Sequence, residues 1–192
     1  EGEKNTAARR YGLDPDTPTL LVVGGSLGAE TINTIALACA HSSNRHYQLI
    51  HITGPKYHEA ISSALKPCPD GVALVDYENK MAEAYAMADL VLCRAGSSTL
   101  AELTAIGKPA VLVPSPNVTD NHQEGNARGL EDVGAAIVVV ERDLNLDATI
   151  AQIGSLLGDI ASLERMAKSS KNQGHLDTAD KVASLLADRF LS

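Results

Sequence analysis

Aromatic residues are nearly missing from this chain: they make up 3% of its 192 residues, with one Phe and no Trp. The core must therefore be built from Val, Leu, Ile and Ala, and platforms on which single-stranded nucleic acid stacks are scarce. Positive charge is also in short supply. Sixteen Lys and Arg against 24 Asp and Glu leave a formal net charge of -8, which argues against a nucleic-acid partner, because backbone binders neutralise many phosphates at once. A small anionic ligand asks only for local positive potential. The three cysteines, Cys39, Cys68 and Cys93, are odd in number and unevenly spaced, which fits a reducing compartment better than a disulfide framework or a zinc site. No apolar run reaches the ~18 residues that cross a bilayer, and the charged opening Glu1-Gly2-Glu3-Lys4 does not read as a secretory signal. The expectation is a chain soluble by itself, and a start at Glu rather than Met fits an excised piece or a trimmed chain.

What is present is an alternation. With 44% hydrophobic residues the chain is long enough and apolar enough for one globular core. Apolar β-rich runs predict strands over 19–24, 47–53, 72–75, 90–93, 110–114 and 136–139, and helices over 28–40, 56–65, 81–87, 97–106 and 121–132. A C-terminal helical set runs over 146–190, with Gly154, Gly158 and Gly174 expected to break it. Continuous runs such as Leu20-Leu21-Val22-Val23 and Val111-Leu112-Val113 read as parallel strands buried on both faces. The fold class is α/β: a doubly wound, mostly parallel, Rossmann-like sheet in one domain.

Ligands on such sheets bind beyond the carboxyl ends of the strands, and three strand ends carry unusual loops. Cys93-Arg94-Ala95-Gly96-Ser97-Ser98-Thr99-Leu100-Ala101-Glu102 joins a strand to a helix through a cation, several hydroxyls and a carboxylate. A nucleoside diphosphate wants those groups: Arg94 and the helix N–H groups for phosphate, Glu102 for a sugar diol. Gly24-Gly25-Ser26-Leu27-Gly28-Ala29 allows close approach of backbone to phosphate, with Asn33 or Thr31 adding a polar contact one turn on. It is neither GxGxxG nor a P-loop, and a ligand-free tight turn explains it equally well by itself. The third loop, 114–127, has two prolines at its start, Asp120 or Asn121 as a helix cap, and His122, Gln123 and Asn126 on the first helical turns. Amides there suit sugar hydroxyls, although exposed polar helix starts are common.

Gly24-x-Ser26-x-Gly28 also spells a nucleophile elbow, with Asp120, His122 and His175 as conceivable triad partners. An α/β-hydrolase elbow follows several strands, whereas only one strand fits ahead of Gly24, so that assignment is poor. None of the six histidines sits in HExxH or a Cys/His metal spacing. His41, His46, His51, His58 and His175 read as surface or strand-end residues, and His122 as a substrate contact rather than a general base.

Four segments in order, Gly24-Gly25-Ser26-x-Gly28-Ala29, Cys93-Arg94-x-Gly96-x-x-Thr99-x-x-Glu102, Gly107-x-Pro109 before a strand ending in Pro114, and Asp120-x-x-Gln123-x-x-Asn126-Ala127, together resemble the C-terminal half of the MurG family. The resemblance spans residues 19–142 and is far more specific than any one motif. It implies half of a GT-B glycosyltransferase that binds UDP-N-acetylglucosamine and, with an N-terminal domain, transfers the sugar to lipid I to form lipid II in peptidoglycan synthesis. Carried across, Gly25, Ser26 and Gly28 face the donor diphosphate and Arg94 contacts phosphate, with Thr99 beside it. Glu102 holds the ribose, Tyr77 stacks near uracil, and the backbone of Glu78 reads that base. His122, Gln123 and Asn126 contact the sugar. The family often has two glutamines where this chain has His122-Gln123, and bulkier residues where it has Glu124-Gly125.

The resemblance further implies that residues 1–18 connect from an absent acceptor domain and that residues 19–192 are the donor domain. The acceptor site, the catalytic base and the membrane contact, at the cytoplasmic face of the bacterial inner membrane, belong to that other domain. This chain would contribute no catalytic base, only leaving-group stabilisation by Arg94 and Ser26. No DxD-like carboxylate pair is positioned for a divalent metal, and helix N-termini can do that neutralisation, so no cofactor and no metal are expected. Two alternatives stay open: a non-catalytic donor-binding subunit of a two-part lipid-linked N-acetylglucosamine transferase, and a lipid glycosyltransferase using another UDP-hexose.

Overall fold

The computed structural model describes residues 2–116 and 121–174. Along them run α1 (Gly2–Tyr11), β1 (Thr19–Val23), α2 (Glu30–His41), β2 (Gln48–Ile52), α3 (His58–Ala64), β3 (Val72–Val75), α4 (Met81–Met87) and β4 (Leu90–Cys93). There follow α5 (Ser97–Ile106), β5 (Ala110–Leu112), α6 (His122–Asp132), β6 (Ala136–Val138), a 3-10 turn (Glu141–Asp143), α7 (Leu146–Gly158) and α8 (Ile160–Asn172). The strands form one parallel sheet in the order β3-β2-β1-β4-β5-β6, the doubly wound arrangement the alternation predicts.

Successive side chains of a strand point to opposite faces, and both faces here are covered. Leu20 and Val22 of β1 join Ile32, Ile35, Ile153 and Leu157 beneath α2 and α7. Leu21 joins Ala8, Met87, Val91 and Leu103 on the other side. That second layer leans on small residues, including Ala7, Ala84, Ala88 and Ala127, so helices sit close to the sheet without aromatic filler.

Element ends differ from expectation for local reasons. The fifth strand stops at Leu112; Val113 still donates to the Cys93 carbonyl at 2.9 Å, but Pro114 has no N–H with which to extend the ladder. The first βα helix starts at Glu30 because Gly28 has φ +76° and Ala29 is extended. Gly154 does not break α7, since one helical glycine costs only ~1 kcal/mol and the flanking Ile153 and Leu157 are buried. The break comes at Gly158 and Asp159, where the Asp159 carboxylate accepts from the Ser162 N–H and opens α8. Gly174 follows α8; His175 and the helix expected beyond it lie outside the described residues, as does Asp120. Residues 2–11 are themselves a helix, with Ala7 and Ala8 buried and α4 as its neighbour.

The sheet order reverses between β1 and β4, and parallel register aligns Val23, Cys93 and Leu112. Gly24, Arg94 and Val113 therefore emerge side by side at one edge, the place where such sheets receive ligands.

Candidate functional site

At this edge lies a cavity of about 790 Å³. Of the residues singled out from sequence, Gly25, Ser26, Gly28, Tyr77, Glu78, Arg94, Thr99, Glu102 and Gln123 line it; His122 and Asn126 do not.

The glycine loop is a tight turn in which the Gly28 N–H donates to the Gly25 carbonyl at 3.0 Å. Gly28 backs onto Gly54, two residues past the end of β2: a Cβ on Gly54 would lie 2.5 Å from Gly28 Cα. Two strand-end loops thus meet backbone to backbone, and Gly54, at φ +80°, is left-handed as well as crowded. Helices α2 and α5, which start at the cavity, carry no side-chain cap, so their first-turn N–H groups present positive potential to an anion. In contrast α7 and α8, whose first turns do not line the cavity, are capped by Asn145 and Asp159.

Arg94 is fixed, but not as a free cation. Its Nη1 donates to the Val113 and Pro114 carbonyls, both at 3.1 Å, and its Nη2 lies 2.5 Å from Glu141 Oε1. Glu141, which also lines the cavity, belongs to no motif and was invisible in sequence. Glu102 is held by Tyr85, whose hydroxyl donates to Glu102 Oε2 at 2.9 Å. Burial, then the bond to Glu102, pushes the Tyr85 hydroxyl up, so it stays a donor. A tyrosine four residues after Met81, in an alanine-rich helix whose exposed face would be polar, was the available signal.

Tyr77 stands 47% exposed at the rim. Beside it the Glu78 side chain turns away from solvent entirely: Oε1 accepts from Arg10 at 2.8 Å and the Lys80 N–H at 2.6 Å, and Oε2 from the Tyr11 hydroxyl at 2.7 Å. Burial disfavours this carboxylate, but the bonds from Tyr11, Lys80 and Arg10 outweigh it and hold the group below its ordinary range. Helix α1 therefore anchors the loop that carries Tyr77.

On α6, Gln123 Oε1 accepts from the Ser115 N–H at 2.9 Å and ties down the preceding loop. Asn126 reaches Ser97 Oγ at 3.4 Å, linking α6 to α5, and His122 is exposed. Asn121 does not cap the helix: it is left-handed at φ 50°, and its amide donates to Glu124 at 2.7 Å.

Two further expectations are corrected. Thr31 lines the cavity, but Asn33 is buried and donates to the Thr53 carbonyl at 3.0 Å. His51 is not a surface residue: it is fully buried at the penultimate position of β2, with Nε2 2.8 Å from Asn33 Oδ1. Because the Asn33 nitrogen is committed to Thr53, its oxygen faces His51, so Nε2 carries the proton. Burial, helped by nearby His58, lowers the His51 pKa to about 4. Burial and the Glu102 charge push the Cys93 thiol up to about 12, which makes it inert. Among the described residues no group of three His, Cys, Asp or Glu is arranged to hold a metal, and no helix is long and apolar enough to cross a membrane.

Comparison with known proteins places this geometry. The family model described as glycosyltransferase family 28 C-terminal domain matches residues 19–182. The UDP-N-acetylglucosamine--N-acetylmuramyl-(pentapeptide) pyrophosphoryl-undecaprenol N-acetylglucosamine transferase of Acetivibrio thermocellus is 40% identical over 191 residues, covering 98% of this chain and 52% of that protein. Its namesake from Oenococcus oeni is 41% identical, over 92% of this chain and 48% of that one. The chain thus spans about half the length of the curated relatives it matches. The crystal structure of Acinetobacter baumannii MurG superposes with a TM-score of 0.80 at 29% identity, over 90% of this chain and 52% of that chain.

Proposed function

This chain belongs to the glycosyltransferase family 28 C-terminal domains, and from that premise we propose that it is the donor-binding half of an inverting N-acetylglucosaminyltransferase. It holds UDP-N-acetylglucosamine, while a second domain, joined through the segment before β1, presents lipid I at the membrane and supplies the base. One observation carries the assignment: Glu102, oriented by Tyr85, shares a cavity with the uncapped starts of α2 and α5. A diol acceptor beside two anion-attracting helix ends is what a nucleoside diphosphate requires.

In this scheme the ribose sits on Glu102, the diphosphate on Gly25, Ser26, Gly28, Arg94 and Thr99, and uracil between Tyr77 and the backbone of Glu78. The sugar meets Gln123, with His122 and Asn126 at its outer edge. The acceptor hydroxyl oxygen attacks C1 from the face opposite the nucleotide. The C1–O bond breaks, its electron pair passes to the β-phosphate, and the hydroxyl proton goes to the base of the other domain. Amides of the glycine loop, the Ser26 hydroxyl and Arg94 meet that growing charge, and loss of one such donor commonly costs ~3 kcal/mol of activation free energy. Helix ends provide the neutralisation that a divalent cation gives elsewhere, so donor binding should survive EDTA.

Calorimetric titration with UDP-N-acetylglucosamine, UDP-glucose and ADP, with EDTA present, tests the proposal. The N-acetylated donor should bind tightest and ADP not at all. Equal binding of both UDP-sugars would remove the sugar assignment, and no binding of any uridine nucleotide would remove the donor-site assignment.

A further inference from the structure

The Arg94 guanidinium that lines the cavity is already matched by a carboxylate. Arg94 and Glu141 are both mostly withdrawn from water, with side-chain exposures of 18% and 21%, and both line the cavity. Their contact is a charge pair without alignment: Glu141 Oε1 is buried and accepts no hydrogen bond of good geometry. The neighbouring Arg142 pairs instead with Glu124 and Asp143, each at 3.4 Å. Arg94 is meanwhile pinned by two backbone carbonyls, which keep it in place whatever Glu141 does.

We propose that Glu141 is a specificity-determining residue that competes with phosphate for Arg94 and disfavours the spent nucleotide diphosphate more than the nucleotide sugar. The inference rests on the donor-site assignment above. Its basis is the charge difference between the two ligands. A terminal phosphate has a second ionisation near pH 6, whereas the same phosphate esterified to a sugar has none, so product carries more negative charge than donor at neutral pH. With Arg94 matched, the attraction of the guanidinium and the repulsion of the Glu141 carboxylate largely cancel, so the added charge gains far less than it would from an unpaired arginine. Donor, with less charge on that phosphate, loses less. The pair therefore favours exchange of product for donor, while the helix N-termini supply the attraction both ligands share.

The test titrates UDP, UDP-N-acetylglucosamine and inorganic pyrophosphate into the full chain and into Glu141→Gln, which keeps the shape of the side chain and the carbonyl anchors of Arg94. Glu30→Gln serves as control, because Glu30 also lines the cavity but is not among the partners of Arg94, which are Glu141, Val113 and Pro114. Glu141→Gln should tighten UDP and pyrophosphate about tenfold and UDP-N-acetylglucosamine about threefold, with much smaller gains from Glu30→Gln. An unchanged ratio of UDP to UDP-sugar affinity, a weaker hold on UDP, or an equal gain from Glu30→Gln would overturn the proposal. If the wild-type chain binds pyrophosphate but no uridine nucleotide, the donor-site assignment fails separately. The pyrophosphate gain in Glu141→Gln then still decides whether Glu141 competes for Arg94.

Discussion

A carboxylate selects a sugar diol only when its rotamer is held, and Tyr85 does this for Glu102. Glu102→Ala should weaken uridine nucleotides by ~1–3 kcal/mol, and Tyr85→Phe by about 1 kcal/mol, with pyrophosphate affinity unchanged in both; calorimetry of each variant against UDP and pyrophosphate checks this. Equal losses for the two ligands would place Glu102 away from the ribose. Buried His51 gives a second residue-level expectation. Its pKa falls from 6.5 to about 4 on folding, so between those values the unfolded chain binds the extra proton. Stability from this residue is whole above pH 6.5 and is lost as pH falls toward 4. At pH 5 the loss should be about 2 kcal/mol relative to pH 7. Urea denaturation at the two pH values should show it in the wild type and much less of it in His51→Gln.

Elements were the most legible part of this chain, because strands buried on both faces leave continuous apolar runs. Strands 72–75 and 90–93 and helices 81–87 and 97–106 coincide with β3, β4, α4 and α5. What the runs do not encode is contact between elements. Helix α1 is polar along most of its length and buries Ala7 and Ala8, too short an apolar stripe to announce itself. Its value lies in the bonds from Arg10 and Tyr11 to Glu78, made 68 and 67 positions along the chain. Tyr11→Phe removes a bond to an ionised carboxylate, commonly worth ~1.5–3 kcal/mol when buried. Tyr11 is partly exposed, so the expected loss in urea denaturation is nearer 1 kcal/mol, with a fall in preference for UDP over CDP as the Tyr77 loop loosens. The Gly28–Gly54 contact is similarly silent in sequence. Gly54→Ala would set a Cβ 2.5 Å from Gly28 Cα at a left-handed position. It should lower stability by more than ~2 kcal/mol and impair nucleotide binding, because the glycine loop itself must shift. A full-affinity Gly54→Ala chain would show that the two loops are independent.

Across the whole molecule, an acidic chain with a net charge of -8 gathers its anion-attracting groups at one end of one sheet. The motif residues were readable because each follows a strand, and strand ends converge in a doubly wound sheet whatever their separation in sequence. Glu141 was not readable: it lies in a turn after β6, and only the sheet order β1-β4-β5-β6 brings that turn round to Arg94. The same convergence means that, in the proposed donor site, a ligand would bridge loops from both halves of the sheet, including the Tyr77 loop that α1 anchors. Bound donor should therefore stabilise the described fold as one unit rather than one loop. At a free ligand concentration of 100 times Kd the added stability is about 2.7 kcal/mol, which for a chain of this size raises the thermal midpoint by about 5–10 °C. A single sharper transition is expected with UDP-N-acetylglucosamine by calorimetric scanning, and a smaller rise with uridine at equal concentration. A donor-insensitive early phase lost on deleting residues 2–11 would instead mean that α1 unfolds by itself and does not support the nucleotide site.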